Sequence, residues 1–165
     1  MSEVQKPLAV DLDGTLIKTD LLHELCIGLL ATKPYLIWKI AFYLVKGKAH
    51  LKEWLVKSVA LDIASLPYNQ EVISWLSEQK RAGRKLVLCT ASDQLIAERI
   101  ANYLGIFDEV IGSSGGKNNA GNNKALWLCL QYGERKFAYA GNSNSDLMVW
   151  GKSGSAILVN FSKDV

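Results

Sequence analysis

The sequence contains few cysteines, little net charge and no long apolar run, and each absence excludes a class of protein. The three cysteines, Cys26, Cys89 and Cys129, are far apart and odd in number. They therefore form neither a disulfide framework nor a metal cluster, and are typical of buried thiols in a reducing compartment. A formal net charge of +3 is too small to indicate nucleic-acid binding. No window holds about 18 uninterrupted apolar residues, which predicts no membrane-spanning helix.

The composition that remains is that of an ordinary globular domain. Of 165 residues, 49% are hydrophobic and 21% are charged, which excludes a disordered, collagen-like or coiled-coil chain. Since domains average about 150 residues, the length predicts one domain with room for a small insertion. The start, Met1-Ser2-Glu3, lacks the basic and apolar segments of a signal peptide, so none is expected.

Short apolar runs alternate with helical patterns along most of the chain. This alternation predicts an α/β fold, a Rossmann-like parallel sheet of five strands with helices on both faces. In such sheets, ligands bind beyond the carboxyl ends of the strands. The predicted strands lie at 7–10, 85–89, 109–111, 137–140 and 156–159.

The alternation is interrupted by a long helical stretch with breaks at Pro34 and Gly47. Because this stretch follows the first strand directly, it predicts a small all-helical cap inserted over the binding crevice. The predicted division is a core at 1–18 and 67–165 and a cap at 19–66.

The most informative motif is a pair of carboxylates, Asp11 and Asp13, at the end of the first strand, followed by Gly14. If the backbone turns at Gly14, both carboxylates face one site. One can then attack phosphorus while the other moves a proton. An EF-hand calcium loop is excluded, because the glycine stands fourth in the motif and not sixth. An ordinary Asp-rich turn is the alternative for the motif taken alone.

Further polar residues follow the second and fourth strands, and the parallel topology brings them to the same edge of the sheet. Thr90 and Ser92 follow the second strand, and the segment from Asn142 to Asp146 follows the fourth. Lys124 starts a helix after a Gly/Asn/Ser loop. Each has a simpler interpretation: Thr90 as a turn residue, Ser92 as a helix N-cap, and Lys124 as a solvated helix residue.

The order of these motifs resembles the haloacid dehalogenase superfamily of aspartyl-phosphate phosphohydrolases. The resemblance implies a role for each residue. Asp11 would be the nucleophile and Asp13 the general acid/base. Thr90 would bind a phosphoryl oxygen, and Lys124 would balance negative charge. The backbone around Ala91 and Ser92, together with Gly14, would contact the substrate.

The resemblance also implies Mg²⁺ as the cofactor. Its ligands would be the Asp11 carboxylate, the backbone carbonyl of Asp13, Asn142 and Asp146. The superfamily usually has Gly-Asp where this chain has Gly141-Asn142. An amide oxygen binds Mg²⁺ without contributing charge, so weak metal binding and weak turnover are expected.

Segments at 7–16, 66–69, 90–93 and 140–150 resemble, more narrowly, the phosphatase-like domain fused N-terminally to bacterial UbiA-type prenyltransferases. This implies an isoprenoid- or lipid-linked phosphomonoester as substrate and a membrane prenyltransferase domain as partner. It also implies a cytoplasmic location at the inner face of the membrane. The end at Val165, soon after the fifth strand, favours an excised domain over a stand-alone relative.

A segment of the predicted cap, 35–45, is apolar except for Lys39 and is too short to span a bilayer. It suits a membrane surface or the entrance for a lipid phosphate. Packing on neighbouring helices or on a second subunit is the alternative. The flanking basic residues are Lys33, Lys46, Lys48 and Lys52.

The sequence therefore predicts a Mg²⁺-dependent phosphohydrolase that acts on a small phosphorylated substrate through an aspartyl phosphate, with no nucleic-acid partner. A catalytically weak phosphate-binding or regulatory module is the main alternative, and Asn142 favours it. A phospho-accepting receiver domain is disfavoured, because it leaves Asp13 and the cap without a role.

Overall fold

A computed structural model describes residues 5–114 and 118–160, without the side chains of residues 48 and 49. Its five strands form one parallel sheet in the order β3-β2-β1-β4-β5. The predicted α/β fold with a five-stranded parallel sheet is thus confirmed. The strands are β1 (Leu8–Val10), β2 (Leu86–Asp93), β3 (Glu109–Ser113), β4 (Ala138–Gly141) and β5 (Ser155–Leu158).

Strand β1 lies in the middle of the sheet and pairs on both sides. Leu8 is in register with Leu86 of β2 and with Ala138 of β4. Because both edges and both faces of β1 are covered, its residues are all apolar and buried. The amide of Asp11 donates to the carbonyl of Ala140 at 2.9 Å, so Asp11 stands directly at the carboxyl end of the central strand.

In the described part of the chain, four helices lie between β1 and β2, and three more follow β2. Short 3₁₀ segments occupy Pro34–Leu36, Ile63–Ser65 and Asn144–Asp146. Residues 115–117 of the Gly/Asn/Ser loop predicted before Lys124 lie outside the described ranges. The helices are α1 (Leu21–Thr32), α2 (Trp38–Val45), α3 (Lys48–Ser58), α4 (Gln70–Arg81), α5 (Gln94–Leu104), α6 (Asn122–Tyr132) and α7 (Leu147–Trp150).

The two faces of the sheet carry separate clusters of buried side chains, as the two-residue period of a strand requires. Leu8 and Val10 point into a large cluster that extends through α4 and α5 to the helices after β1. Ala9 and Tyr139 point into a smaller cluster formed with α6 and α7. Asp11 follows Val10 and therefore falls on the same face as Ala9, toward α6.

The helical insertion after β1 shares the large cluster with the core. Leu21, Leu25 and Leu29 of α1 and Leu55 of α3 are buried in it. Helix α2 contributes no fully buried side chain. The helical cap is confirmed as part of the fold, while its limits at 19–66 stay a prediction.

One local prediction is wrong, and another holds only in part. The N-cap of α5 is Asp93, whose side chain accepts from the amide of Leu95 at 2.9 Å, and not Ser92. Cys89 is buried, as expected, but Cys26 and Cys129 are only partly buried.

No single helix in residues 5–114 and 118–160 has the length and apolar composition needed to cross a membrane. The bent pair Leu21–Thr32 and Pro34–Val45, with an angle of 119°, meets these criteria only when its two segments are taken together.

Candidate active site

Asp11 is buried at the end of β1 and forms an ion pair with Lys124. The Lys124 Nζ donates to Asp11 Oδ1 at 2.7 Å. Burial raises the pKa of Asp11 to about 6; Lys124 opposes this shift, and the Asp146 carboxylate adds to it. Among the described residues, no donor contacts Asp11 Oδ2, and Asp11 lines the cavity at this edge of the sheet.

Asp13 is held in place by two donors from different elements. Its Oδ1 accepts from the amide of Leu21, at the start of α1, at 2.8 Å, and its Oδ2 accepts from the hydroxyl of Ser92 at 2.7 Å. Burial nevertheless raises the pKa of Asp13 above its ordinary value. A carboxyl group with a raised pKa is suited to carrying a proton.

The glycine after Asp13 is required by the backbone and by its neighbour. Gly14 has φ +75°, and a Cβ at this position would lie 2.1 Å from Asn142 Nδ2. The side chain of Asn142 thus lies directly against the Asp11–Gly14 turn. Its Oδ1 accepts from the hydroxyl of Thr15 at 3.4 Å. A hydrogen bond from Asn160 to the Gly14 carbonyl, at 3.0 Å, holds the other side of the turn.

Lys124 joins Asp11 to the loop after β4 through Tyr139. Its Nζ donates to the Tyr139 hydroxyl at 2.8 Å and lies 3.9 Å from Asp146 Oδ1. Burial alone would lower the pKa of Lys124, but the neighbouring carboxylates, Asp11 first, outweigh it and raise that pKa. Lys124 is therefore a buried, protonated cation.

Tyr139 is fully buried on β4 and bridges Lys124 and Asp146. It accepts from Lys124 and donates to Asp146 Oδ1 at 2.7 Å. Burial, together with the Asp11 and Asp146 carboxylates, raises the pKa of Tyr139 well above 10, which keeps the hydroxyl protonated as a donor. Sequence reasoning missed this residue. The available signal was a polar aromatic residue in an otherwise apolar central strand, on the same face as Lys124.

Asp146 organises the loop after β4. Its Oδ2 accepts from the amides of Asn142 and Ser143, each at 3.1 Å, and from the Ser143 hydroxyl at 3.3 Å. A Cβ on Gly141 would lie 2.6 Å from Asp146 Oδ2, so glycine permits this close approach. Four protein donors thus hold the one carboxylate of this loop.

The residues at the carboxyl end of β2 divide into two groups. Ala91 lines the cavity. Thr90 and Ser92 are buried, and neither appears on the cavity wall that the described residues form. The Thr90 hydroxyl accepts from the amide of Ser92 at 2.9 Å, and Ser92 in turn donates to Asp13. In this structure Ser92 positions Asp13, and the phosphate contact predicted for Thr90 stays a prediction.

The cavity between the sheet edge and the helical insertion has a volume of about 1060 Å³. Asp11, Asp13 and Lys124 lie on its core side, and His23, Lys52 and Lys57 lie on its helical side. Lys52 is close enough to lower the pKa of Asp13. The site therefore combines two carboxyl groups with several cations around one space, which suits a phosphoryl group.

The donor chemistry of the site fits Mg²⁺. Among the described residues, Lys124 is the one cation paired with the carboxylates of Asp11 and Asp146, so an additional cation is favourable. Carboxylate and amide oxygens are the hard ligands that Mg²⁺ prefers. Across the described ranges, no three His, Cys, Asp or Glu side chains come together to hold a metal. A metal here would depend also on the Asn142 amide and the Asp13 carbonyl.

Comparison with known proteins identifies the family. The model of the haloacid dehalogenase-like hydrolases matches residues 40–149 of the 165. The chain belongs to the haloacid dehalogenase-like hydrolases. The predicted membership is confirmed, and with it a hydrolase with a phosphatase-like fold.

One curated relative and several solved structures are similar to this hydrolase. An uncharacterized protein y4nM of Sinorhizobium fredii (strain NBRC 101917 / NGR234) is 39% identical over 153 residues. This match covers 93% of the chain but only 30% of the length of that relative.

The solved structures are below 25% identity and show the fold. A protein of unknown function from Bordetella pertussis Tohama I matches with a TM-score of 0.72 and 15% identity, covering 98% of this chain and 92% of that one. A predicted phosphoglycolate phosphatase from Haemophilus somnus 129PT has a TM-score of 0.64 and 16% identity, covering 95% and 85%. A phosphoserine phosphatase, as a phospho-aspartyl intermediate analogue, has a TM-score of 0.61 and 16% identity, covering 94% and 87%.

Proposed function

We propose that this hydrolase cleaves a phosphomonoester in a Mg²⁺-dependent reaction, through an aspartyl phosphate on Asp11. The observation that supports this most is the shared cavity: Asp11, paired with Lys124 at 2.7 Å, and Asp13 line the same space. Solved phosphatases of this fold support the reaction class. Asp11, the Asp13 carbonyl, Asn142 and Asp146 would hold Mg²⁺, which when bound supplies positive charge to the phosphoryl oxygens.

The reaction follows from the roles of two carboxyl groups. Asp11 attacks phosphorus, the bond from phosphorus to the leaving oxygen breaks, and Asp13 donates its proton to that oxygen. Water then attacks the phosphorus of the aspartyl phosphate while Asp13 takes a proton from the water. Inorganic phosphate leaves, and Asp11 returns as a carboxylate. Lys124 balances the charge of Asp11 throughout.

The nucleophile is tested by Asp11→Asn, which is nearly isosteric. With p-nitrophenyl phosphate and Mg²⁺, kcat should fall by roughly 1000-fold or more. Asp13→Asn should instead slow the breakdown of the aspartyl phosphate, so that a burst of nitrophenol precedes a slow steady state. Glu78→Gln, on the exposed side of α4, makes the same carboxylate-to-amide change and should leave kcat unchanged. Undiminished hydrolysis by the Asp11→Asn protein would overturn the proposal.

The metal site is tested by Asn142→Asp. The added charge should tighten Mg²⁺ binding by roughly tenfold or more, since unit charges about 4 Å apart interact by about 4 kcal/mol at an effective dielectric of about 20 before relaxation. Calorimetric titration with Mg²⁺ alone measures this. Asn118→Asp adds the same charge elsewhere on the cavity wall and should change affinity much less. Equal or weaker binding in Asn142→Asp would remove Asn142 from the ligand set.

A second candidate function is a phosphate-binding or regulatory module with poor turnover. Asn142 favours it, because the loop then offers one carboxylate, Asp146, and that carboxylate already accepts four hydrogen bonds. The same assay separates the two functions. A module would bind inorganic phosphate yet show no Mg²⁺-dependent hydrolysis, and Asn142→Asp would restore some.

The finer substrate proposal, an isoprenoid- or lipid-linked phosphate, finds support in the apolar helix α2 but not in the cavity. Leu95 is the only large aliphatic side chain among the described lining residues. The phosphate end of such a substrate would occupy the cavity, and the hydrocarbon would lie outside it. A higher kcat/KM for a short prenyl monophosphate than for phosphoglycolate would support this class. Association with a membrane prenyltransferase receives no support from the comparisons and stays a prediction, as does a cytoplasmic location.

A further inference from the structure

Helix α2 and the turn before it present a continuous apolar surface to solvent. Trp38 is 63% exposed, Phe42 52% and Val45 90%. The inner side of the same segment is also apolar, with Ile40 and Tyr43 packed against the core. We call the outer surface the α2 apolar face; it comprises Tyr35, Ile37, Trp38, Phe42, Leu44 and Val45, all exposed.

A helix that is apolar on every side is ordinarily covered on every side. Single exposed hydrophobic residues are common on folded proteins and require no explanation. A contiguous group of large exposed hydrophobic residues on one short segment instead marks a surface that a partner covers. Within the described residues, nothing covers this face.

The charge around the face selects the partner. Between Glu24 and Glu53 the chain contains five lysines and no acidic residue. The rest of the chain has 14 basic and 16 acidic residues, so it is net negative by two although the whole chain is +3. The positive charge of this protein is thus concentrated on the segment that contains this face, although Lys52 lines the cavity and Lys33 donates to the Ser58 carbonyl.

Two of these lysines lie over the aromatic rings of the face itself. Lys39 Nζ is 5.5 Å from the centre of the Trp38 ring, and Lys46 Nζ is 4.4 Å from the centre of the Phe42 ring. None of the ion pairs among the described residues includes Lys39 or Lys46. Both ammonium groups are therefore available to an external anion while their alkyl chains extend along the apolar surface.

We propose that the α2 apolar face docks on an anionic lipid bilayer. Aromatic side chains next to lysines are favoured where a hydrocarbon core meets phosphate headgroups. A second copy of this chain fits less well, because a two-fold interface places the same patch on both subunits and would bring Lys39 and Lys46 together with their copies. This docking does not depend on the proposed hydrolysis.

The geometry places α2 along the surface of the bilayer and not across it. A helix of 8 residues is about 12 Å long, whereas the hydrocarbon core is about 30 Å thick. The preceding helix cannot extend it, since Leu21, Leu25 and Leu29 fix α1 in the protein core. The face would therefore insert its rings to the depth of the headgroups while Lys39 and Lys46 contact phosphate.

The test is sedimentation of the full chain with vesicles of phosphatidylcholine alone or mixed with phosphatidylglycerol. The chain should bind the mixed vesicles far better, and binding should weaken as the Debye length shortens from about 10 Å at 0.1 M salt to about 3 Å at 1 M. Trp38→Ser with Phe42→Ser should reduce partitioning by roughly 100-fold. Lys39→Glu with Lys46→Glu should reduce it by roughly tenfold or more.

Matched controls keep the test specific. Leu126→Ser with Leu130→Ser removes two exposed apolar side chains from α6, and Lys136→Glu with Lys152→Glu makes the same change in net charge away from α2. Both should bind like the wild type, and all four variants should hydrolyse p-nitrophenyl phosphate as the wild type does. Absence of binding at low salt, or equal binding to neutral vesicles, would overturn the proposal. A concentration-dependent dimer that Trp38→Ser with Phe42→Ser abolishes would assign the face to a second copy instead.

Discussion

The carboxyl edge of the sheet and the α2 apolar face place opposite kinds of side chain in environments that do not suit them. At the sheet edge, Asp11, Lys124 and Asp146 are charged or polar groups that the fold removes from water. On α2, Trp38 and Phe42 are apolar groups that the fold leaves in water. At the sheet edge, the Tyr139 hydroxyl and the Lys124 ion pair offset the cost of burying these groups. On α2, no contact among the described residues removes the exposed rings from water.

The difference separates two ways in which a folded chain prepares to bind. A polar cluster that is mostly satisfied is rigid, and a ligand adds the charge that is still missing. An exposed apolar face contributes binding free energy only when another apolar surface removes it from water. While it is exposed, it lowers the stability of the folded chain little. Changes at the sheet edge should therefore alter stability strongly, and changes on α2 should alter binding alone.

The largest effect is expected for Lys124→Met. It leaves the Asp11 carboxylate buried without a cation, so the free energy of unfolding should fall by about 3–5 kcal/mol in urea denaturation. Lys152→Met breaks the exposed pair with Glu134 and should cost no more than about 0.5 kcal/mol. Adding Asp11→Asn to Lys124→Met should recover part of the loss. A loss as small as that of Lys152→Met would show that the sheet edge does not depend on the Lys124 ion pair.

The pH dependence of stability should be opposite to that of an ordinary carboxylate. The pKa of Asp11 is about 6 in the folded chain and near 3.8 when unfolded, so between these values the folded state binds more protons. In EDTA, the free energy of unfolding should therefore rise by up to about 3 kcal/mol as pH falls from about 7 to about 4. Asp108 and Glu109, whose pKa values are lowered, act in the opposite direction at more acidic pH.

Urea titrations at several pH values measure this dependence, and Asp11→Asn should remove the part due to Asp11, leaving the contribution of Asp13, whose pKa is also raised. Saturating Mg²⁺ should also reduce it, because a bound cation favours the Asp11 carboxylate. A wild-type stability that only falls on acidification from neutral pH would contradict the raised pKa of Asp11.

Tyr139→Phe should have a smaller but informative effect. It removes the hydroxyl that joins Lys124 to Asp146, at a cost of about 2 kcal/mol, since hydrogen bonds to charged groups contribute about 1.5–3 kcal/mol each. Because Asp146 then loses a donor, Mg²⁺ binding should change as well. Tyr132→Phe removes a half-buried hydroxyl bonded to Glu109 and serves as the matched control, with a smaller loss of stability and unchanged Mg²⁺ binding. Equal effects of the two substitutions would show that Tyr139 has no special connection with the site.

The smallest effect is expected on α2. Trp38→Ser with Phe42→Ser replaces exposed side chains, so the free energy of unfolding should change by no more than about 0.5 kcal/mol per site. Urea denaturation of the lipid-free chain checks this. A loss comparable to that of Lys124→Met would mean that α2 is held by its outer side chains, and the contrast between the two regions would disappear.

The strands were predictable because a central parallel strand must be apolar on both faces. All five lie within a few residues of their predicted positions, but β2 and β3 are longer than predicted, ending at Asp93 and Ser113 instead of Cys89 and Ile111. The extension of β2 is largely polar and pairs with β3 through Asp93 and Ser113 after a shift in register. Such a bridge depends on the neighbouring strand, so no local pattern indicates it.

The candidate site was predictable where one short motif carries the chemistry and not where contacts cross the fold. Asp11 and Asp13 were identified from their position at a strand end, and the structure places Lys124 against Asp11. Ser92 and Asp93 are adjacent residues with equal capping ability, and what separates them is the hydrogen bond that Ser92 makes to Asp13, 79 positions away. Tyr139 was missed for the same reason, since an aromatic residue in a strand ordinarily indicates packing.

The pairing of β1 on both sides determines when the site can form during synthesis. One edge of Leu8–Val10 can pair only after β2 has been synthesised, and the other only after β4, which lies about 130 residues later in the chain. Until Ala140 has left the ribosome, the amide of Asp11 lacks its acceptor, and Tyr139 is not yet in place to contact Lys124. The first of these motifs to be translated is therefore among the last to gain all of its contacts, because those contacts require β4.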